Sequence, residues 1–183
     1  MKYDDVKDRI EKVVNHLVPG QQKWLFEKSL ALPDDAVILE IGSHRGGSTI
    51  PLGLPCIGTH RRMFSIDIRL DAPHVQADWK NNVARFGLEP YVTEIVGDSA
   101  VILKAWSERR GHPDFVFIDG AHEYEGVLAD FTLSFPWVKS GGQIAFHDVC
   151  PPWDGPMRVW NEVASARLVA HEQNETIMCG RKP

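Results

Sequence analysis

Two carboxylates and two imidazoles stand at the ends of apolar runs in this 183-residue chain. In FVFIDGAHEYEG the run Phe115 to Ile118 delivers Asp119 and then His122; in GGQIAFHD a second run delivers His147 and Asp148. An unperturbed imidazole titrates near pH ~6.5, so His122 is a candidate general base for a hydroxyl proton at neutral pH. If the two runs are neighbouring strands, Asp119, His147 and Asp148 meet at one sheet edge, and two carboxylates with an imidazole can hold a divalent cation. Mg prefers oxygen donors, so a nitrogen from His147 moves the expectation toward Mn, Fe or Zn. The plainer alternatives are that His122 only starts a helix, that Asp148 only turns the chain, and that His147 packs as a satisfied polar residue.

A second constellation lies in ILEIGSHRGGST. Glu40 ends an apolar run, and Gly42, Gly46 and Gly47 fall in the turn before a helix, where backbone N–H groups can approach a ligand closely. The spacing does not match G-x-G-x-x-G, because position 44 is His44. An NAD-binding oxidoreductase therefore stays an alternative without its fingerprint. Asp67, about 25 residues beyond Gly42 and followed by Ile68, sits where an acid commonly accepts hydrogen bonds from ribose hydroxyls. Asp98, with Ser99 beside it, suits an adenine amino group and equally suits the N-cap of the following helix.

The elements that must position these groups alternate between short β-like runs and longer helical ones, which predicts a parallel sheet covered by helices. Strands are expected at 36–42, 63–68, 91–97, 114–120 and 141–148, with helices near 46–54, 74–87, 99–110 and 123–138. Residues 157–166 read as helical, and ARLVAHEQ with ETIMCGRK as an antiparallel hairpin at the sheet's edge. Val6, Ile10, Val13, Val14 and Leu17 recur at helical spacing, and Trp24, Leu25 and Leu30 continue a second helix up to Pro33. The expected fold class is α/β: a Rossmann-like, doubly wound, mostly parallel seven-stranded sheet with an antiparallel C-terminal edge hairpin and two N-terminal helices. A single domain is expected, with 1–33 as a helical extension and 34–183 as the core.

Bulk composition excludes several classes. A net charge of −5 lacks the basic excess that phosphate backbones attract, so nucleic acid is not an expected partner. No run approaches the roughly 20 apolar residues of a membrane span, and MKYDDVKDRIEK lacks the order of a signal peptide, so no membrane is expected and the location is read as cytoplasmic. Cys56, Cys150 and Cys179 are odd in number and widely spaced, which argues against both a disulfide framework and a CxxC zinc site. A homodimer is the association to expect by default.

VILEIGSHRGGST, FSIDI, VGDSA, FVFIDGAHEYEGVLADF and GGQIAFHDV, in this order, resemble the class I S-adenosylmethionine-dependent methyltransferases over roughly residues 34–180. IDGAHEYEGVLADF followed by GGQIAFHD is similar to the metal-dependent small-molecule O-methyltransferases of macrolide-sugar and cephalosporin pathways. The resemblance implies S-adenosylmethionine as cofactor, with Glu40 on its methionine amine, Gly42 and Ser43 along its methionyl part, and Asp67 with Ile68 at the ribose. Asp98 and Ser99 would read the adenine, and Asp119 would border the cofactor. It implies a small-molecule acceptor hydroxyl, His122 and Asp119 as the catalytic pair, and metal ligation at Asp119 and Asp148. The position of His147 is commonly an acid in that group. Trp153 and Asp154, in VCPPWDGP, are candidates for a wall of the acceptor pocket. A methyltransferase-like binding protein without catalysis is the non-enzymatic alternative.

Overall fold

Residues 37–181 contain seven strands, and in the central ones the apolar residues alternate between two buried faces. The computed structural model describes residues 1–68 and 73–183. Its strands are β1 Val37–Ile41, β2 Arg62–Asp67, β3 Val92–Val96, β4 Phe115–Ile118, β5 Gln143–Phe146, β6 Val169–Asn174 and β7 Ile177–Arg181. They form one sheet in the order β3-β2-β1-β4-β5-β7-β6. The five N-terminal strands pair in parallel, and β7 enters antiparallel beside β5 with β6 outside it. This is the Rossmann-like, doubly wound arrangement, and the C-terminal hairpin lies at the edge as expected.

The alternation has period two because successive side chains leave a strand on opposite sides. Ile38, Phe115 and Phe117 face one core with Leu25, Phe26, Ile50 and Met63. Leu39, Ile41, Val116 and Ile118 face the other with Val127, Phe131 and Val159. All four residues of β4 are buried, so this strand cannot shift without moving an entire apolar set to the wrong face. That rigidity fixes the position of whatever follows Ile118.

The helices are α1 Lys7–Ile10, α2 Pro19–Leu30, α3 Thr49–Gly53, α4 Pro73–Arg85, α5 Ser99–Lys104, α6 Tyr124–Ser134, α7 Asp154–Val159 and α8 Ser165–Arg167, the last two joined through a π-helical turn at Trp160–Ala164. Two differ from expectation in length. The first N-terminal helix stops at Ile10, although the apolar spacing runs to Leu17. Asn15 uses its side chain locally, accepting from Leu17 N at 2.8 Å and donating to the Val13 carbonyl at 2.5 Å, and such bonds compete with helix. Val18 precedes Pro19, which disfavours helical backbone there. The segment after Val13 therefore runs across the top of the sheet. The α5 helix ends at Lys104, where Gly111 at φ +84° and the Trp106 indole donating to its carbonyl close a compact turn. Among the described residues, no helix is long and apolar enough to cross a membrane.

Candidate active site

A cavity of about 820 Å³ opens over the carboxyl ends of the parallel strands, where open α/β sheets bind ligands. Its floor is set by the contact between two turns. Gly42 leaves β1 at φ +84°, and a Cβ there would lie 2.1 Å from the carbonyl oxygen of Asp119 at the end of β4. Only glycine meets both conditions, the left-handed backbone and the close approach.

Asp67 organises the glycine turn. Its Oδ2 accepts from the backbone N–H of Ser43 at 2.9 Å and of His44 at 2.8 Å, while the residue also lines the cavity next to Ile68. Glu40 lies beneath the cavity wall, in β1. It is fully buried, does not lie on the cavity wall, and accepts from Ser48 at 2.6 Å, Thr49 at 2.6 Å and Ser65 at 2.7 Å. Burial pushes its carboxyl up to about 7 against the opposing effect of these three hydroxyls. Ser48, which donates to Glu40, does line the cavity.

At the far end, Asp98 caps α5 through Oδ1, accepting from Ala100 N at 2.7 Å and Val101 N at 3.3 Å. The capping alternative thus describes what the side chain does, and its residue still borders the cavity. Ser99 donates to Asp130 Oδ1 at 2.5 Å. Asp130 comes from α6 and is buried. Its signal is an acid within the i, i+3, i+4, i+7 set Val127, Asp130, Phe131 and Ser134 that α6 buries.

The β4 and β5 ends meet as expected, since Ile118 pairs with Phe146. His122 Nε2 lies 3.0 Å from Asp148 Oδ2, and its ring stacks on Trp153 with centroids 4.0 Å apart at 25°. Asp148 holds a left-handed φ of +56°, an uncommon conformation for a side-chain-bearing residue and one that clusters at functional sites. Trp153 reaches the cavity, but Asp154 does not: it is exposed and lies 3.6 Å from Arg158. Gly155 passes beneath His122 so closely that a Cβ would meet its carbonyl oxygen at 2.1 Å. Asn15, His16 and Leu17 add a wall that the expected longer helix had concealed.

His147 faces the two carboxylates with which it was expected to hold a metal. Its Nδ1 faces Asp119 Oδ1 at 3.0 Å and Asp148 Oδ2 at 3.2 Å, in line for a well-formed hydrogen bond with neither. Its Nε2 lies 3.2 Å from Gln21 Oε1. That amide is oriented, because the same oxygen accepts from Val18 N and its NH₂ donates to Thr176. Without a metal between them, the two carboxylates favour a protonated His147 ring. Burial alone would push its pKa down, but the two carboxylates win and hold it at about 10. Burial raises the Asp119 pKa despite His147, whereas both histidines overcome burial at Asp148 and lower it. Among the described residues, the group that brings three ligand atoms within 4.8 Å of one another is Asp119, His122 and Asp148.

These shifts carry a sign for stability. The folded-state pKa of Glu40, about 7, exceeds its ordinary 4.5, and that of His147, about 10, exceeds 6.5. In each window the native state holds a proton the unfolded chain has released, so rising pH destabilises the fold. The Glu40 contribution is lost between about 4.5 and 7; that of His147 is intact below 6.5 and lost as pH climbs through about 10. The melting temperature should fall from pH 7 to 10, and His147→Gln should flatten that limb. An equally steep limb in the variant would show that His147 is not the group responsible.

Comparison with known proteins agrees with this geometry. Residues 39–149 match a family model described as a methyltransferase domain. The chain belongs to that methyltransferase-domain family. An uncharacterized protein of Acanthamoeba polyphaga mimivirus is 30% identical over 128 residues, 67% of this chain and 53% of the relative, so the chain spans about half of that relative's length. The O-methyltransferase TomG of Streptomyces achromogenes, involved in tomaymycin synthesis and solved with SAM, superposes with a TM-score of 0.75 at 18% identity, covering 97% of this chain and 87% of TomG. An O-methyltransferase from Bacillus cereus solved with SAH gives 0.70 at 21% identity, covering 97% and 88%. At these identities the two structures attest the fold.

Proposed function

We propose that this chain is an S-adenosylmethionine-dependent methyltransferase that transfers the methyl group to a hydroxyl of a small molecule, such as a sugar or a natural-product intermediate. The observation that carries the reading is the His122–Asp148 pair opening into the same cavity as the Gly42 turn. A cavity of this size suits a small molecule.

The acceptor oxygen attacks the methyl carbon in line. An O–C bond forms, the C–S bond breaks, and its electron pair stays on sulfur, turning the sulfonium into a thioether. Asp148 takes the hydrogen bond from Nε2–H of His122, so Nδ1 is the atom that receives the hydroxyl proton. Asp148 then stabilises the imidazolium formed. Trp153, stacked on His122, fixes the ring plane and offers an aromatic face to the acceptor. Placement supplies most of the remaining acceleration.

Asp119 and Asp148, with Nδ1 of His147 at 3.0 and 3.2 Å from them, are the donors that would hold a divalent cation, and a nitrogen among them fits Mn, Fe or Zn better than Mg. Such an ion would supply positive charge that lowers the pKa of the acceptor hydroxyl. Asp119→Ala tests the metal role through the stoichiometry of bound Mn, measured by calorimetry.

Calorimetry with S-adenosylhomocysteine and with NAD tests the cofactor. Saturable binding of the first and none of the second is expected; the reverse would sink this reading in favour of an oxidoreductase.

A further inference from the structure

Gln21 stands third in α2 and is 1% exposed. A glutamine at that position reaches back to the backbone N–H that precedes the helix, and Gln21 Oε1 accepts from Val18 N at 3.1 Å. Its NH₂ donates to Thr176 Oγ1 at 2.8 Å, in the turn between β6 and β7. Flipping the amide would set an NH₂ against the Val18 N–H, two donors face to face, so the oxygen is fixed on the Val18 side. The same oxygen lies 3.2 Å from Nε2 of His147. A carbonyl oxygen only accepts, so Nε2 carries a proton.

A neutral imidazole with its proton on Nε2 has a lone pair on Nδ1. Nδ1 of His147 is buried and has no hydrogen-bond partner among the described residues, although Asp119 Oδ1 lies at 3.0 Å and Asp148 Oδ2 at 3.2 Å. The distances suit a hydrogen bond, but the directions do not. Two donors bonded at right angles to one ion ~2.1 Å away stand ~3.0 Å apart, so the spacing is also that of ligands sharing a cation. Asp119, His147 and Asp148 all border the cavity.

We infer that Gln21 is the positioning residue that makes His147 a metal ligand: by holding the ring proton on Nε2 it presents the Nδ1 lone pair to the side of Asp119 and Asp148, and so selects an ion that accepts nitrogen. This rests on the reading of that edge as a metal site. A hydrogen bond from the far nitrogen of a ligating imidazole fixes its tautomer and ring plane and raises its basicity. Without the Gln21 oxygen, the ring is free to turn and to carry its proton on Nδ1, donating to a carboxylate. The site then keeps oxygen donors only, which Mg tolerates and Mn feels as a lost ligand.

The test titrates the full chain with Mn and with Mg by calorimetry. Gln21→Leu should weaken Mn binding by about 10- to 100-fold, the range for loss of such an outer partner, and change Mg by less than about threefold. Gln21→Glu keeps an acceptor of the same shape and should hold Mn within about threefold of the wild type. Pulsed EPR of bound Mn, with histidine isotopically labelled at δ1 alone, reads the ligating nitrogen without any variant. It also separates His147 from His122, whose Nε2 is the atom that faces Asp148. The wild type and Gln21→Glu should show a directly bound δ1 nitrogen, and Gln21→Leu should not. A Mn-to-Mg preference equal in wild type and Gln21→Leu, or no δ1 coupling in a wild type that binds Mn, overturns the assignment and leaves the metal reading standing. A wild type that binds no Mn overturns the metal reading and this inference together.

Discussion

Replacing His122 with alanine is expected to lower methyl transfer by roughly 10²- to 10⁴-fold, the range a positioned general base contributes, while S-adenosylhomocysteine affinity stays within about twofold. The separation follows from position. His122 sits at the β4–α6 turn beside Asp148 and Trp153, whereas the glycine turn follows β1 and Asp67 ends β2. Single-turnover kinetics together with calorimetry measure the two quantities independently. Asp148→Asn is the companion variant: it keeps the shape but weakens the partner that orients Nε2 and stabilises the charged ring, so it should reproduce part of the loss. Turnover unchanged in His122→Ala would remove the imidazole from the mechanism, and loss of cofactor binding would relocate its role to the binding step.

Gly42→Ala is expected to be the most damaging single-methyl addition in the chain's β1–α3 turn. Its Cβ would sit 2.1 Å from the Asp119 carbonyl oxygen and 2.6 Å from Gly120 Cα, both backbone atoms that no rotamer change can move. The φ of +84° adds a penalty that any L-residue meets. Together these should cost about 3 kcal/mol or more, a large part of the ~5–15 kcal/mol by which domains are stable. Gly58→Ala is the control, since Gly58 has a similar φ of +78° but nothing within 4 Å of its added Cβ. It should lose only about 1 kcal/mol. Denaturant midpoints of the two variants separate the backbone penalty from the collision, and equal losses would mean that the two turns can part without cost.

Much of this arrangement is legible along the chain. The period-two runs of β1 and β4 and the acids that end the strands can be read locally, because burial on both faces of a parallel sheet demands near-continuous apolar segments. The same reasoning joins Asp119 to Asp148, since strands at the centre of such a sheet deliver their next residues to one edge. Asn15 is harder to read. Its apolar neighbours have helical spacing, and only its local hydrogen bonds, with Gly47 opposite leaving space for its Cβ, end the helix and bring His16 and Leu17 to the cavity.

What the amino-acid order determined by itself is the alternation of strand and helix, the glycine turn after Glu40, and the presence of Asp119, His122, His147 and Asp148 at one edge. Each depends on residue type and spacing within a few positions. Only the tertiary structure decided how these groups divide the work. Gln21, 126 residues before His147, occupies Nε2 of that ring, and the two carboxylates occupy the space before Nδ1. His147 is thereby held from both sides against the carboxylates, while His122 stands beside Asp148 and stacks on Trp153. Asp130, 31 residues after Ser99, likewise turns an ordinary helix-start serine into an acceptor. Protonation state and hydrogen-bond direction depend on which donors and acceptors lie within about 3 Å, and such neighbours are brought together by packing across the sheet and between helices.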